Sequence, residues 1–269
     1  MPPRAIWKGA ISFGLVTIPT RLHSAIEEKS FKFNQLHEKD NGRIKYKRVC
    51  SVDGEEVPYD EIVKGYEYDK GNYVVLTEDE LERGLGNTRT IDIQKFVPAE
   101  QIDPTLFNRS YYLAPDGPAA VKAYKLLSKA LADDERVAIA KVAFRDKEHL
   151  ATVRVKEGVF VLETMYWPDE VRIGEFEELD EEVEVRDEEL KMARTLIDNL
   201  TGDWNPDEFH DAYREKVEKV VEAKIEGKEI TVVEEPEGGK VLDLIEALKA
   251  SVEATSKDAG EKKKDAASA

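Results

Sequence analysis

The stretch "LATVRVKEGVFVLETMYW", residues 150–167, decides the class of fold. Two runs rich in β-branched and aromatic residues flank Glu157-Gly158, which punctuates as a turn. The stretch therefore reads as two strands of one hairpin. Immediately upstream, "RVAIAKVAFR" (136–145) reads as a third strand. Further upstream, "PAAVKAYKLLSKALADD" (118–134) is helical, with Val121, Tyr124, Leu127 and Leu131 at helical spacing. Before it come three more strand segments: "SYYLAPDG" (110–117), "TIDIQKFVPAEQI" (90–102) and Tyr73–Leu76. "AISFGLVTIPTRLHSAI" (10–26) is apolar and β-branched, and reads as a buried strand, a break at Pro19 and a second strand. Strands prevail, with helices interspersed.

Downstream, "DEELKMARTLIDNL" (187–200) is a helix with acids in its first turn. "NPDEFHDAYREKVEKVVEAKIEG" (205–227) reads as another, with Asn205 as N-cap, Pro206 at the first helical position and Gly227 after its end. "EEPEGG" (234–239) reads as a linker. Beyond it, Val241, Leu244, Ile245, Leu248 and Val252 form one apolar helical stripe. That stripe either folds back on the main domain or docks into a partner's groove. The last stretch, 255–269, is low-complexity and reads as disordered.

The chain has 269 residues, 41% of them hydrophobic, enough for one large domain with a small appendage. One cysteine, Cys50, excludes an internal disulfide and a four-cysteine zinc site, and fits a reducing compartment. The first residues lack a signal-peptide pattern, and no apolar run approaches the roughly 20 residues needed to cross a bilayer. The sequence thus reads as soluble and intracellular.

Charge is distributed unevenly. The formal net charge is −17, and residues 175–189 alone carry ten acids and one base. Yet "FKFNQLHEKDNGRIKYKR" (31–48) has six cations against two acids. Screening limits a charge's reach to roughly 8–10 Å, so a local cationic face can attract phosphate on an acidic protein. Asn41-Gly42 marks a hairpin. On its second strand Arg43, Lys45 and Lys47 would share one face, about 7 Å apart at the usual rise per residue. Such a row can track a phosphate backbone. It can equally be the solvated edge that keeps a strand soluble.

Catalytic readings find little support. His23, His37, His149 and His210 are scattered with no metal-ligand spacing, and no Walker loop or GxGxxG is present. The carboxylates sit in solvated runs. No helix-turn-helix, zinc finger or RNP pattern appears either. Lys and Arg on strands position a protein on phosphates without reading bases, so a DNA binder of this composition would be indifferent to sequence.

Several motifs resemble bacterial Ku of the actinobacterial type. In the family's order they are "IWKGAISFGLVTIPTRLHSA", "HEKDNGRIKYKRVC", "IVKGYEY", "RSYYLAPD", "AIAKVAFRDKEHLATVRV", "MYWPDEVR" and "ELKMARTLIDNL". The likeness runs from about Arg4 to Gly227. It implies a mixed α+β, mainly β fold: a β-barrel core with an inserted β bridge that forms a ring in the homodimer, and a helical C-terminal arm. The implied organisation is a core over 1–232, with the bridge at about 28–76 and the arm at about 187–227. A linker (233–240), a C-terminal helix (241–256) and a disordered tail (257–269) follow.

The resemblance further implies a protein without catalytic activity or cofactor, located in the cytoplasm with the nucleoid. It would thread onto double-stranded DNA ends and recruit the ATP-dependent DNA ligase D for non-homologous end joining. The expected DNA contacts are Lys32, Arg43, Lys45, Lys47 and Arg48. The expected ligase contacts are Val241, Leu244, Ile245 and Leu248. Where many relatives carry C-x-x-C, this chain has Cys50-Ser51-Val52-Asp53, so no metal clip is expected. Two rivals stand beside this reading: a nucleic-acid scaffold indifferent to ends, and a hydrolase using the acidic segment.

Overall fold

The computed structural model describes residues 4–84, 89–133, 136–144, 147–227, 245, 247–253 and 255. The chain divides into two compact units, Met1–Ile173 and Gly174–Ala269. The division falls inside the span 1–232 that the resemblance implies as a core, ahead of its helical arm at about 187–227. The expected linker (233–240) and tail (257–269) lie outside the described residues.

The first unit is built on a closed seven-stranded barrel. Its elements in chain order are β1 (Ala5–Phe13), β2 (Val16–Ser24), β3 (Lys64–Asp69), β4 (Asn72–Leu76), α1 (Glu78–Gly84), β5 (Thr90–Pro98), β6 (Phe107–Pro115), α2 (Pro118–Asp133), β7 (Arg136–Phe144), β8 (Lys147–Lys156) and β9 (Val159–Met165). Around the barrel the order is β1-β2-β6-β9-β8-β7-β5. The seam is closed by parallel pairing of β1 with β5, Ala10↔Thr90 to Ser12↔Asp92. Parallel neighbours need a long crossover. Here the whole excursion between β2 and β5 provides it, and the candidate interface lies on that excursion.

The β8–β9 hairpin forms where the sequence placed it. Glu157 and Gly158 have φ of 52° and 79°, as a type I′ turn requires. Inward-facing Ile11, Ile18, Leu22, Ile91, Leu113 and Phe160 are fully buried. Helix α2 packs against β2, β6, β7 and β8 through Tyr124, Leu127 and Leu131, while Val121 is half-buried. The Tyr124 ring meets Phe160 edge-on at 4.6 Å. Its hydroxyl accepts from the Phe160 N–H at 2.8 Å and donates to the Leu113 carbonyl at 2.6 Å. Leu113↔Phe160 is the last pair of the β6–β9 register, so the phenol bridges the end of that ladder.

The break in the first apolar stretch is at Gly14, with φ of 56°, and Pro19 lies inside β2 opposite Ala10. Pro19 is tolerated because its missing N–H points toward β6, where pairing begins only at Thr20↔Pro115. Its carbonyl, on that same side, accepts from Asp116 N–H at 2.9 Å. Gly9 has a different constraint. A Cβ there would overlap the Arg89 carbonyl oxygen and the Trp7 ring, so glycine permits the seam to close.

The second unit contains α3 (Asp187–Leu200) and α4 (Ala212–Ile225). Asn205 and Pro206 open only one 3-10 turn, Pro206–Glu208. Helix α4 starts six residues later and is capped by Asp211, whose carboxylate accepts from Arg214 N–H at 2.9 Å. None of the described residues of this unit is fully buried. Leu200, Trp204 and Phe209 are exposed, with the two aromatic rings stacked at 5.0 Å.

Candidate nucleic-acid interface

The bridge leaves the barrel after β2 and is almost wholly exposed from Glu27 to Val75. It is not one long hairpin. Its first turn spans Glu38–Asn41: Asn41 N–H donates to the His37 carbonyl and His37 N–H to the Gly42 carbonyl, both at 2.8 Å. Only Asn41 takes positive φ, at 55°, and Asp40 Oδ1 accepts from Gly42 N–H at 2.9 Å. The turn is thus a four-residue loop rather than the two-residue Asn-Gly turn the sequence suggested. Regular strand pairing there is limited to the isolated bridge Leu36↔Arg43. A second small hairpin follows, with Cys50 N–H donating to Glu55 O at 2.8 Å, Gly54 at φ 75° and the bridge Val49↔Glu56.

The expected row of three equivalent cations is therefore absent from a continuous strand, and each cation has its own surroundings. The Arg43 guanidinium donates to the Asn34 side chain, and the Tyr46 hydroxyl to Gln35. Lys47 is paired with Glu56, Nζ to Oε2, at 2.5 Å. The Arg48 guanidinium lies over the Tyr59 ring, 5.2 Å from its centroid. Lys32 and Lys45 are exposed, with no hydrogen bond or ion pair among the described residues. Lys32 stands at the root of the bridge in a cleft of about 520 Å³ that it shares with Arg109, Asn108, Ser24 and Glu27.

Sequence reasoning missed Glu56, Tyr59 and Arg109. Glu56 could have been found by folding residues 43–60 about the Asp53-Gly54 turn. Cross-strand pairing then brings the acids of 55–56 to the cations of 47–48. Over 28–76 nine Lys and Arg meet ten Asp and Glu, with the cations concentrated before Val49. The excess of positive charge is a property of the first half of the bridge only.

At the turn lacking C-x-x-C, protein hydrogen bonds close the loop. Glu55 N–H donates to Asp53 Oδ1 at 2.9 Å, and Val52 N–H reaches Cys50 Sγ at 3.4 Å. The Glu55 amide, then the Cys50 thiol, hold the Asp53 carboxyl below the ordinary aspartate range. Among the described residues, no three His, Cys, Asp or Glu side chains are grouped to hold a metal ion, and no helix is long and apolar enough to cross a membrane.

Residues 12–192 match the family described as the Ku70/Ku80 beta-barrel domain, from the end of β1 into α3. The chain belongs to the Ku family. The matched span takes in the bridge and every barrel strand except most of β1. The Ku-family relatives include the non-homologous end joining protein Ku of Frankia casuarinae, 49% identical over 253 residues, which covers 93% of this chain and 64% of that protein. The protein of the same description from Mycolicibacterium smegmatis is 45% identical over 262 residues, covering 93% and 82% of the two chains. That of Mycobacterium tuberculosis H37Rv is 42% identical over 266 residues, covering 94% and 96%. The chain thus spans a little under two thirds of the Frankia Ku and nearly all of the tuberculosis one.

Proposed function

We propose that this Ku-family chain forms a homodimeric ring that receives double-stranded DNA ends without regard to sequence. It would then recruit ligase D for non-homologous end joining. The observation that carries this reading is the exposed bridge, held at both ends by a closed barrel and cationic in its first half. Phosphate contacts from Lys32, Arg43, Lys45, Lys47 and Arg48 supply salt-sensitive affinity without base readout. The role is binding and recruitment, with no catalysis and no cofactor.

Two features support a dimer. The sheet β3–β4 has only two strands, and Tyr66, Tyr68, Tyr73, Val74 and Val75 are exposed. Two strands alone are marginal in water, so this sheet needs a covering surface. The second unit likewise exposes Leu200, Trp204 and Phe209. A dimer that covers these surfaces buries more than roughly 2,000 Å² and is largely apolar.

Joining of linear duplex by ligase D, with the full chain and with a chain truncated after Glu235, tests the division of labour. The full chain should stimulate joining; the truncated one should bind ends as well but stimulate nothing. Loss of end binding on truncation would contradict it. Sedimentation velocity should show a dimer in both cases.

A further inference from the structure

The apolar stripe of the C-terminal helix does not stand free. Among the described residues, 245, 247–253 and 255 are helical, and Ile245, Leu248 and Val252 are half-buried. Val241 and Leu244, the other two members expected to recruit the ligase, lie outside the described residues. Helix α3 shows the complementary pattern. Glu189, Met192, Ala193, Leu196 and Asn199 lie at positions i, i+3, i+4, i+7 and i+10 of one helical face and are half-buried, whereas Ile197 and Leu200 on its other flank are 63% and 68% exposed. Shielding by the helix's own backbone would not single out one stripe. The two helices are joined directly: Asn199 Nδ2 donates to Thr255 Oγ1 at 3.3 Å, and that hydroxyl lies 2.9 Å from the Ser251 carbonyl of its own helix.

From this contact we infer that α3 stores the C-terminal helix, so that ligase recruitment requires its release. The inference rests on the reading of this helix as the ligase-recruiting segment. A side chain packed against α3 cannot at the same moment fill a groove on the ligase. The docked helix is therefore the closed state of a latch, and only the undocked fraction binds. The apparent affinity falls by that fraction. A docked-to-free ratio of about 10 would weaken ligase binding about tenfold, and any change that loosens α3 would restore it. The motif "ELKMARTLIDNL" thereby acquires a role beyond the arm's scaffold: its inward stripe is a built-in competitor.

The test uses the full chain and purified ligase D, with hydrogen exchange of the 245–255 amides as a second readout. Leu196→Asp places a charge in the seat on α3, outside the barrel core, and Asn199→Ala removes only the hydrogen bond. Leu248→Asp damages the stripe itself. Wild type should protect the 245–255 amides. Leu196→Asp should abolish that protection and tighten ligase binding about tenfold, with Asn199→Ala shifting both the same way by less. If Leu196→Asp leaves affinity and protection unchanged while Leu248→Asp weakens binding, the latch is refuted and recruitment stands. If Leu248→Asp does not weaken binding, the recruitment reading fails and the latch with it.

Discussion

Lys47 Nζ and Glu56 Oε2 stand 2.5 Å apart across the second hairpin of the bridge, so one of the five expected DNA-contacting cations already has an anionic partner within the chain. Both side chains are more than half exposed, and such pairs contribute about 0–1 kcal/mol to folding. Glu56→Gln should therefore leave the melting temperature nearly unchanged. Releasing Lys47 to phosphate should tighten end binding by about threefold to fivefold at low salt and steepen the salt dependence by about 0.9 in log–log slope. Fluorescence anisotropy on a short duplex at several salt concentrations checks both. Weaker binding would mean that Glu56 orients Lys47 rather than competing for it.

Among the described residues Lys45 has no such partner. Lys45→Ala should weaken end binding and lower the salt slope by about 1, whatever the duplex sequence. Replacing Arg43, Lys45 and Lys47 together by Ala should weaken binding by more than about tenfold. Unchanged affinity in the triple variant would place the DNA contacts elsewhere on the chain.

Tyr124 ties α2 to the barrel. Tyr124→Phe keeps the ring against Phe160 but strands the buried Phe160 N–H and deprives the Leu113 carbonyl of a donor, a loss of about 2–3 kcal/mol measurable by urea unfolding. Burial holds the Tyr124 phenol above its ordinary value of about 10. The folded state then keeps the proton where the unfolded chain has lost it. The stabilisation is complete below about pH 10 and lost as pH rises through the raised folded value. Wild type should lose stability above pH 10 more steeply than Tyr124→Phe; parallel curves would show that the phenol is not the titrating group.

Much of the barrel was legible because its signals are local. The Glu157-Gly158 turn and the Tyr124–Leu127–Leu131 stripe each depend on a few nearby residues, as does Gly227 after α4 in the second unit. What failed depended on surroundings. Pro19 reads locally as a break because only the pairing with β6 reveals that its missing N–H is not needed there. Asn205-Pro206 carried a valid start signal, but the chain used it for a single turn before Asp211 capped the helix. In the bridge, the cationic run 31–48 ends short of Glu56, which a turn brings back onto Lys47. The parallel closure of β1 on β5 joins segments some 80 residues apart and has no local trace.

Gly9 is the point at which that closure is most sensitive to change. Gly9→Ala forces the new methyl against the Arg89 carbonyl and the Trp7 ring. The β1–β5 seam should open locally, at a cost of about 1–3 kcal/mol. A lower urea midpoint with faster exchange of the Ala10 amide, which donates to Arg89 O at 3.0 Å, is the expected result. Unaltered stability would mean that the seam yields freely.

The proposed homodimeric ring, built from two bridges, encircles only DNA that has an end. The most direct measurement is a gel-shift titration comparing linear duplex with a covalently closed circle of the same sequence, at about 50 and 200 mM salt. The account predicts binding to the linear form alone, weakening as salt rises. Equal binding to linear and closed DNA would contradict it, leaving a scaffold that holds nucleic acid on its surface without needing an end.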